Sequence, residues 1–140
     1  MEKIYTATAT VTGGRNGHVT SADGVIDMDM KSPKEMGGEA GYANPELLFA
    51  SGWAACFNSA LMLVARRKRL NADDAEVTVS VSIGRDIDGA TYKLEAEIEG
   101  LFHGMSDEEA EKLMHEAHEV CPYSKATRGN VDVTLVSSVA

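Results

Sequence analysis

The sequence contains two cysteines, Cys56 and Cys121, and this thiol pair is the residue combination most suited to redox chemistry. Small residues flank Cys56 and leave room for a ligand or another backbone. Cys121 precedes a proline at a predicted helix start, a position that lowers the pKa of a thiol. Free cysteines are also often unreactive, buried hydrophobic residues. Because the two lie far apart in the chain, their spacing does not decide whether they meet, and both interpretations stay open.

A metal site is a second possibility, because His115, His118 and Cys121 recur at spacings of three residues and His103 lies upstream. Histidine and cysteine are zinc-type ligands, and two histidines three residues apart on a helix lie about 60° apart. The predicted helix is otherwise acidic, and Pro122 interrupts it. Histidines on a solvated helix face explain the pattern more simply, so we expect no metal.

Two charged residues, Arg15 and Glu46, lie close to predicted structural boundaries. Arg15 follows two glycines in a predicted turn, where a solvated charge is common. Glu46 lies in the first turn of a predicted helix, where a carboxylate interacts favourably with the helix dipole. Composition and position alone do not single out either residue.

The element that must position Cys56 is a helix predicted over residues 44–70. Asn44 can cap it and Pro45 suits its first position, while the basic residues 66–69 match the negative end of the dipole. Residues 47–64 contain no charged side chain, and a helix that is apolar on all faces is a buried one. Its short length and its polar interruptions argue against a membrane span.

The remaining chain predicts strands and a second helix around this central element. Alternating patterns and turn residues predict strands over residues 3–12, 18–21, 25–31, 76–86, 91–99 and 131–139. Ser106 and Glu109 form a capping box that opens a helix to about residue 120, and Pro122 begins a further turn with Cys121 at its cap. The predicted fold class is α+β with antiparallel sheets around a long buried central helix, in one domain over residues 1–140.

Composition narrows the function classes. A chain of 140 residues with a formal net charge of −9 is repelled by phosphates, so we expect no nucleic acid partner. Two cysteines are too few for a disulfide scaffold. The first residues alternate like a strand and lack the apolar segment of a signal peptide, so we expect a reducing, cytoplasmic location and no membrane partner.

Two segments around the cysteines carry a family resemblance. ANPELLFASGWAACFNSAL, residues 43–61, closely resembles the motif around the peroxidatic cysteine of the organic hydroperoxide resistance proteins, a subfamily of the OsmC-like family. VCPYSKATRGNVDV, residues 120–133, is similar to the motif around the resolving cysteine of the same subfamily. TGGRNG at residues 12–17 and PKEMGG at residues 33–38 fit as well. The sequence departs from the motif at Trp53, where a tyrosine is expected.

The resemblance implies an OsmC-like fold, an intertwined homodimer and a thiol peroxidase that reduces organic hydroperoxides, including those of fatty acids. It implies that Cys56 attacks the peroxide and that its sulfenic acid condenses with Cys121 to a disulfide. It also implies that Arg15 holds Cys56 as a thiolate and that Glu46 orients Arg15. The disulfide is then reduced by dihydrolipoyl groups of a lipoylated protein, with no bound cofactor.

Physical chemistry supports these roles. Burial raises the pKa of a thiol, so Cys56 needs a nearby cation to be ionised at neutral pH. Glu46 and Cys56 lie ten residues apart, about 15 Å along a straight helix. Either the helix breaks near Ser51 and Gly52, or a partner subunit supplies Arg15 and Glu46. We expect the second arrangement, a homodimer with two composite sites.

Apolar residues near Cys56 predict the substrate preference. Phe49, Trp53 and Phe57 are the candidate substrate contacts, and an apolar pocket favours hydrophobic hydroperoxides over hydrogen peroxide. Two alternatives to this function remain open. One is an OsmC-type peroxidase with a different substrate range, and the other is a non-catalytic protein that binds a hydrophobic ligand or senses peroxides.

Overall fold

The computed structural model describes all 140 residues and divides into two compact units, Met1–Leu48 and Phe49–Ala140. The fold is mixed α/β, with two three-stranded sheets and three α-helices. The strands are β1 (Ala9–Thr12), β2 (His18–Ser21), β3 (Asp27–Asp29), β4 (Glu76–Arg85), β5 (Tyr92–Phe102) and β6 (Asp132–Val139). The helices are α1 (Pro45–Arg67), α2 (Asp107–Val120) and α3 (Pro122–Thr127).

The first unit contains an antiparallel sheet in the order β1-β2-β3. β2 has the predicted bounds, but β1 and β3 are shorter than the predicted strands over residues 3–12 and 25–31. β1 is shorter because its neighbouring strand β2 ends at Ser21, which already pairs with Ala9. An alternating pattern specifies an extended segment, whereas a strand also needs a neighbour with free backbone groups.

Helix α1 begins as its sequence predicts but ends at Arg67, three residues before the predicted end. The Asn44 side chain accepts a hydrogen bond from the Leu47 backbone N–H at 2.8 Å, and Pro45 is the first helical residue. At the other end Arg69 has a positive φ of 59°, and the Leu70 N–H donates to the Ala65 carbonyl. This left-handed residue and backward hydrogen bond terminate the helix.

The central helix is not buried on every face, and this corrects the sequence prediction. Ala55, Ser59 and Leu63, each four residues apart on α1, are exposed, while Trp53 and Leu61 are fully buried. A uniformly apolar sequence indicates that every face of a helix can be buried, but it does not indicate that the same chain buries every face. By length and composition α1 could also cross a membrane, which is weak evidence because core helices of soluble proteins share these properties.

The second unit contains a sheet in the order β4-β5-β6. β4 and β5 form the predicted antiparallel hairpin, but β6 runs parallel to β5, so the prediction of purely antiparallel sheets is wrong. Two helices connect β5 to β6, and a crossover of that length returns the chain to the same end of the sheet. The order strand, helix, strand in the sequence already indicated a parallel pairing of β5 and β6.

A single apolar cluster forms the core of the second unit. It combines buried side chains of α1, of the inward face of β5 and of α2. The predicted capping box opens α2, because Ser106 accepts from the Glu109 N–H and Glu109 accepts from the Ser106 N–H, both at 3.1 Å. Cys121 is the N-cap residue of α3, as predicted, and Pro122 occupies its first position.

The close packing between β5 and α2 predicts a strong effect of one added methyl group. In Gly100→Ala the new Cβ lies 2.6 Å from Met114 Sδ and 2.7 Å from Phe102 Cε2, and all three residues are buried. We expect this overpacking to lower the free energy of unfolding by about 1–3 kcal/mol, measured by chemical denaturation. Gly84→Ala in β4 is the matched control, because its Cβ meets no atom within 4 Å. Equal stability of the two variants would contradict the packing argument.

Candidate active site

The two cysteines meet in the second unit at the contact between α1 and α3. Their Sγ atoms lie 3.5 Å apart, and both residues are free thiols. Cys56 is partly exposed, whereas Cys121 is completely buried. As the N-cap residue of α3, Cys121 does not cap the helix with its side chain, which instead donates a hydrogen bond to Cys56 Sγ. The separation is short enough for a disulfide to form after a small movement.

The surroundings of Cys56 act on its ionisation in opposite directions. Burial raises the pKa of Cys56 and is the largest effect. The Tyr123 backbone N–H donates a hydrogen bond to the sulfur and lowers the pKa, while Cys121 raises it further. The net pKa of the Cys56 thiol is therefore above its ordinary value. The second unit by itself favours the protonated thiol, and a cation is needed to reverse this.

Aromatic side chains lie on the two helices that meet at the cysteine pair. Phe49 packs edge-on against Trp53 with ring centroids 5.4 Å apart, and its ring lies 6.3 Å from that of Tyr123. Trp53 and Phe57 are fully buried, so of the three predicted substrate contacts only Phe49 is partly open to solvent. Tyr123 is 42% exposed and adds an apolar surface that the sequence analysis did not select.

A hydrogen bond beside the cysteines joins α1 to α3. Trp53 Nε1 donates to Ser124 Oγ at 3.2 Å, and both side chains are completely buried. Trp53 lies three residues before Cys56, and Ser124 lies three residues after Cys121. In the sequence, Tyr123 and Ser124 stand out only as part of the second cysteine motif. Their place next to a buried cysteine was the signal that could have selected them.

Arg15 and Glu46 form an ion pair in the first unit. Arg15 Nη1 donates to Glu46 Oε2 at 2.7 Å and Nη2 donates to Oε1 at 2.6 Å, a bidentate geometry. The hydrogen bonds from Arg15 lower the pKa of Glu46, and those to Glu46 raise the pKa of Arg15. The Glu46 side chain is 14% exposed and that of Arg15 is 32% exposed. The pair stays charged over a wide pH range and retains access to solvent.

The turn that carries Arg15 is closely packed. Gly13 has a φ of 84°, and a Cβ on Gly17 would lie 1.7 Å from the Thr12 carbonyl oxygen. Asn16 fixes the turn from the other side, because its Oδ1 accepts from the Ser32 backbone N–H at 3.1 Å. Glycines are required where the backbone approaches itself this closely. The TGGRNG segment thus determines the position of the guanidinium group.

The structure does not assemble the alternative metal site. No group of three or more His, Cys, Asp or Glu side chains has a metal-binding arrangement. His115 is exposed, and His118 is partly buried with no hydrogen-bond partner for Nδ1. Burial, and then the positive charge of Arg128, lower the pKa of His118.

The helix break that was the less favoured alternative for Glu46 and Cys56 is also absent. α1 is continuous from Pro45 to Arg67, so Ser51 and Gly52 are helical residues. A Cβ on Gly52 would lie 3.3 Å from Tyr123 Cε2 and Oη, so this glycine allows close contact between α1 and α3. Of the two arrangements considered for Arg15, Glu46 and Cys56, the supply of Arg15 and Glu46 by a partner subunit remains a prediction.

The fold and the cysteine motifs place this protein in a known family. The chain belongs to the OsmC-like family, whose model matches residues 37–136. Its relatives include the organic hydroperoxide resistance protein OhrA of Bacillus subtilis, 46% identical over 136 residues that cover 96% of each chain. The crystal structure of an organic hydroperoxide resistance protein from Legionella pneumophila matches with a TM-score of 0.92 and 46% identity, covering 99% of this chain and 100% of that one.

A second solved structure agrees with this assignment. An organic hydroperoxide resistance protein from Elizabethkingia anophelis has a TM-score of 0.92 and 47% identity, with both chains covered completely. The family and the OsmC-like fold inferred from the cysteine motifs are therefore confirmed. The predicted antiparallel direction of β6 against β5 was wrong.

The ion pair predicts a pH-dependent contribution to stability. Because the pKa of Glu46 is lowered on folding, its contribution is complete above the unfolded value near 4.3 and is lost as the pH falls through the folded value. We expect Glu46→Gln to lower the free energy of unfolding by about 1–2 kcal/mol at pH 7, with a smaller difference from wild type below about pH 4. Chemical denaturation across this range measures it. Glu35→Gln, at an exposed carboxylate without an ion pair in the same unit, is the control. A difference that is independent of pH would exclude an ionic origin.

Proposed function

We propose that this protein is a thiol-dependent peroxidase that reduces organic hydroperoxides to alcohols. The observation that carries the proposal is the 3.5 Å separation of two reduced sulfurs, one partly exposed and the other buried. Membership of the OsmC-like family and relatives named organic hydroperoxide resistance proteins support a role in organic hydroperoxide resistance.

Cys56 is the peroxidatic residue because it is the cysteine that solvent reaches. Its thiolate attacks the distal oxygen of the hydroperoxide, the O–O bond breaks, and the departing alkoxide takes a proton to form the alcohol. Cys56 becomes a sulfenic acid. The Tyr123 N–H, already donated to the sulfur, stabilises the thiolate before this step.

Cys121 is the resolving residue. Its sulfur attacks the sulfenic sulfur of Cys56, a disulfide forms, and the hydroxyl leaves as water with the proton of the Cys121 thiol. A dithiol then returns the pair to its starting state and is oxidised to a disulfide. We propose a dihydrolipoyl group on a lipoylated protein as this reductant, acting in the cytoplasm. No bound cofactor is required.

Arg15 supplies the missing cation, and Glu46 orients it. Both residues come from the partner subunit of a homodimer. Ten residues of continuous α-helix, about 15 Å, separate Glu46 from Cys56 along α1. The exposed small and apolar residues of α1, Ala55, Ser59 and Leu63, support an interface that covers this helix. Such an interface makes two composite sites, each with a thiol from one chain and a guanidinium from the other.

The substrate is a hydrophobic hydroperoxide. The rings of Phe49 on α1 and Tyr123 on α3 are partly exposed and lie 6.3 Å apart, and an alkyl group can bury apolar surface against them. Trp53 and Phe57 support this surface from the core. Hydrogen peroxide has no group to bury and gains nothing from it.

Free-thiol titration with one equivalent of an alkyl hydroperoxide tests the peroxidase. We expect wild type to lose both thiols without intermolecular crosslinking, and Cys121→Ser to stop at a sulfenic acid on Cys56. We also expect faster reaction with cumene hydroperoxide than with hydrogen peroxide, and equal rates would contradict the apolar site. If both thiols survive excess hydroperoxide, the protein is not a peroxidase, and binding of a hydrophobic ligand becomes the better explanation.

Mixed dimers test the composite site. Neither Arg15→Ala nor Cys56→Ser should be active by itself. A heterodimer of the two has one complete site if the guanidinium acts across the interface, and none if it acts within its own chain. After equimolar subunit exchange we expect about a quarter of the wild-type activity, because half of the dimers are mixed and each has one site. Absence of recovery despite measured exchange, or a fully active monomer, would contradict the arrangement.

A further inference from the structure

The contact between α1 and α3 contains a buried polar link that the peroxidase chemistry does not itself use. On α1, Phe49, Gly52, Trp53 and Cys56 lie on one face and meet α3. Most of this contact is apolar or involves sulfur. The hydrogen bond from Trp53 Nε1 to Ser124 Oγ is its one buried link between polar side chains.

We propose that Trp53 and Ser124 are positioning residues for disulfide closure. Their hydrogen bond fixes α3 against α1 so that Cys121 Sγ stays within reach of Cys56 Sγ. The proposal rests on the two-cysteine peroxidase described above, and it assigns to Trp53 a role in closure in place of a substrate contact.

Because the Trp53–Ser124 hydrogen bond is buried, it restricts how α3 can move against α1. Both side chains have 0% exposure, so an indole N–H that loses its acceptor cannot donate a hydrogen bond to water instead. Leaving such a donor unpaired is costly, whereas apolar neighbours alone tolerate sliding. A rotation or shift of α3 that lengthens the 3.2 Å bond is therefore opposed.

The small size of α3 makes an external link necessary. The helix has six residues and follows Cys121 directly, so Cys121 moves with it. Within α3 the Thr127 hydroxyl bonds to the Tyr123 and Ser124 carbonyls at 2.9 and 3.1 Å, which stabilises the helix but does not attach it to α1. The Trp53–Ser124 bond provides that attachment one helical turn from each cysteine.

Closure and peroxide reduction depend on this link to different degrees. Of the two cysteines, only Cys56 takes part in the attack on the hydroperoxide. Closure must bring two sulfurs from 3.5 Å to about 2.05 Å, a bond length, in the correct direction. Until closure occurs, the sulfenic acid can react with a second hydroperoxide, which yields a sulfinic acid and a second alcohol. A misplaced Cys121 therefore shifts Cys56 from the disulfide to the sulfinic acid.

Ser124→Ala tests the proposal in a rapid-mixing experiment on the reduced full-length protein. Hydroperoxide consumption reports the first step, and loss of the second thiol reports closure. Trp53 is the only tryptophan in the chain, so its fluorescence also follows closure next to the cysteines. We expect closure to slow about tenfold and the first step, which does not use Cys121, to slow less. We also expect more sulfinic acid on Cys56 in excess hydroperoxide, measured by mass spectrometry.

Thr127→Val is the matched control, because it removes a buried hydroxyl of α3 whose hydrogen bonds lie within α3. We expect a comparable loss of stability but wild-type closure. Trp53→Phe removes the donor from the other side and replaces Ser124→Ala if that variant does not fold. Closure at the wild-type rate in the Ser124 or Trp53 variant, or equal slowing in Thr127→Val, overturns the proposal.

A thiol oxidant separates this proposal from the peroxidase proposal. Diamide takes two electrons and two protons from a dithiol and leaves a disulfide, without any hydroperoxide. If hydroperoxide does not oxidise wild-type Cys56, the peroxidase proposal fails, and closure by diamide still compares Ser124→Ala with Thr127→Val. Slower closure in Ser124→Ala alone then supports the positioning role, and equal rates reject it.

Discussion

Desolvation of the Cys56 thiol is the constraint on which the rest of this site depends. A sulfur on a core helix lies in water-poor surroundings, and this burial raises its pKa and reduces the fraction of thiolate, its nucleophilic form. The Tyr123 N–H compensates in part. The remaining increase in pKa explains why the proposed chemistry needs a guanidinium group.

The contact between α1 and α3 serves stability and chemistry together. Gly52 allows the helices to approach, Trp53 and Ser124 join them, and the cysteines face each other at their end. A short helix such as α3 has little stability of its own. Its position is therefore determined by what it packs against, so that core residues decide where a reactive sulfur lies.

The sequence predicted the local elements better than their partners. Asn44 and Ser106 cap their helices with their side chains as predicted, and Cys121 takes the N-cap position before Pro122, because these features are decided within a few residues. The direction of β6 was missed, because strand pairing depends on where a long connection leads. The exposed face of α1 was missed for a similar reason, since an apolar pattern does not say which chain covers it.

The cysteine motifs predicted the family, but the contacts within them needed coordinates. Composition does not distinguish Cys56 from an inert buried cysteine, and the 3.5 Å approach of Cys121 depends on the whole core of the second unit. Trp53 illustrates the limit. Its place in the motif suggested a substrate contact, whereas its complete burial and its bond to Ser124 suggest support of α3.

The pairing of Arg15 with Glu46 does not prevent Arg15 from stabilising a thiolate. The bidentate bond uses one N–H on each terminal nitrogen, so three of the five guanidinium donors stay available to a sulfur and a peroxide oxygen. The lowered pKa of Glu46 keeps the carboxylate ionised wherever Cys56 can ionise. Glu46 weakens the net charge at a distance, but at contact range the donors next to the sulfur dominate. A fixed guanidinium also loses less conformational entropy when a substrate arrives. The carboxylate thus lowers the net charge but fixes the orientation of the guanidinium, which suits the role we propose for Arg15 in binding both sulfur and peroxide.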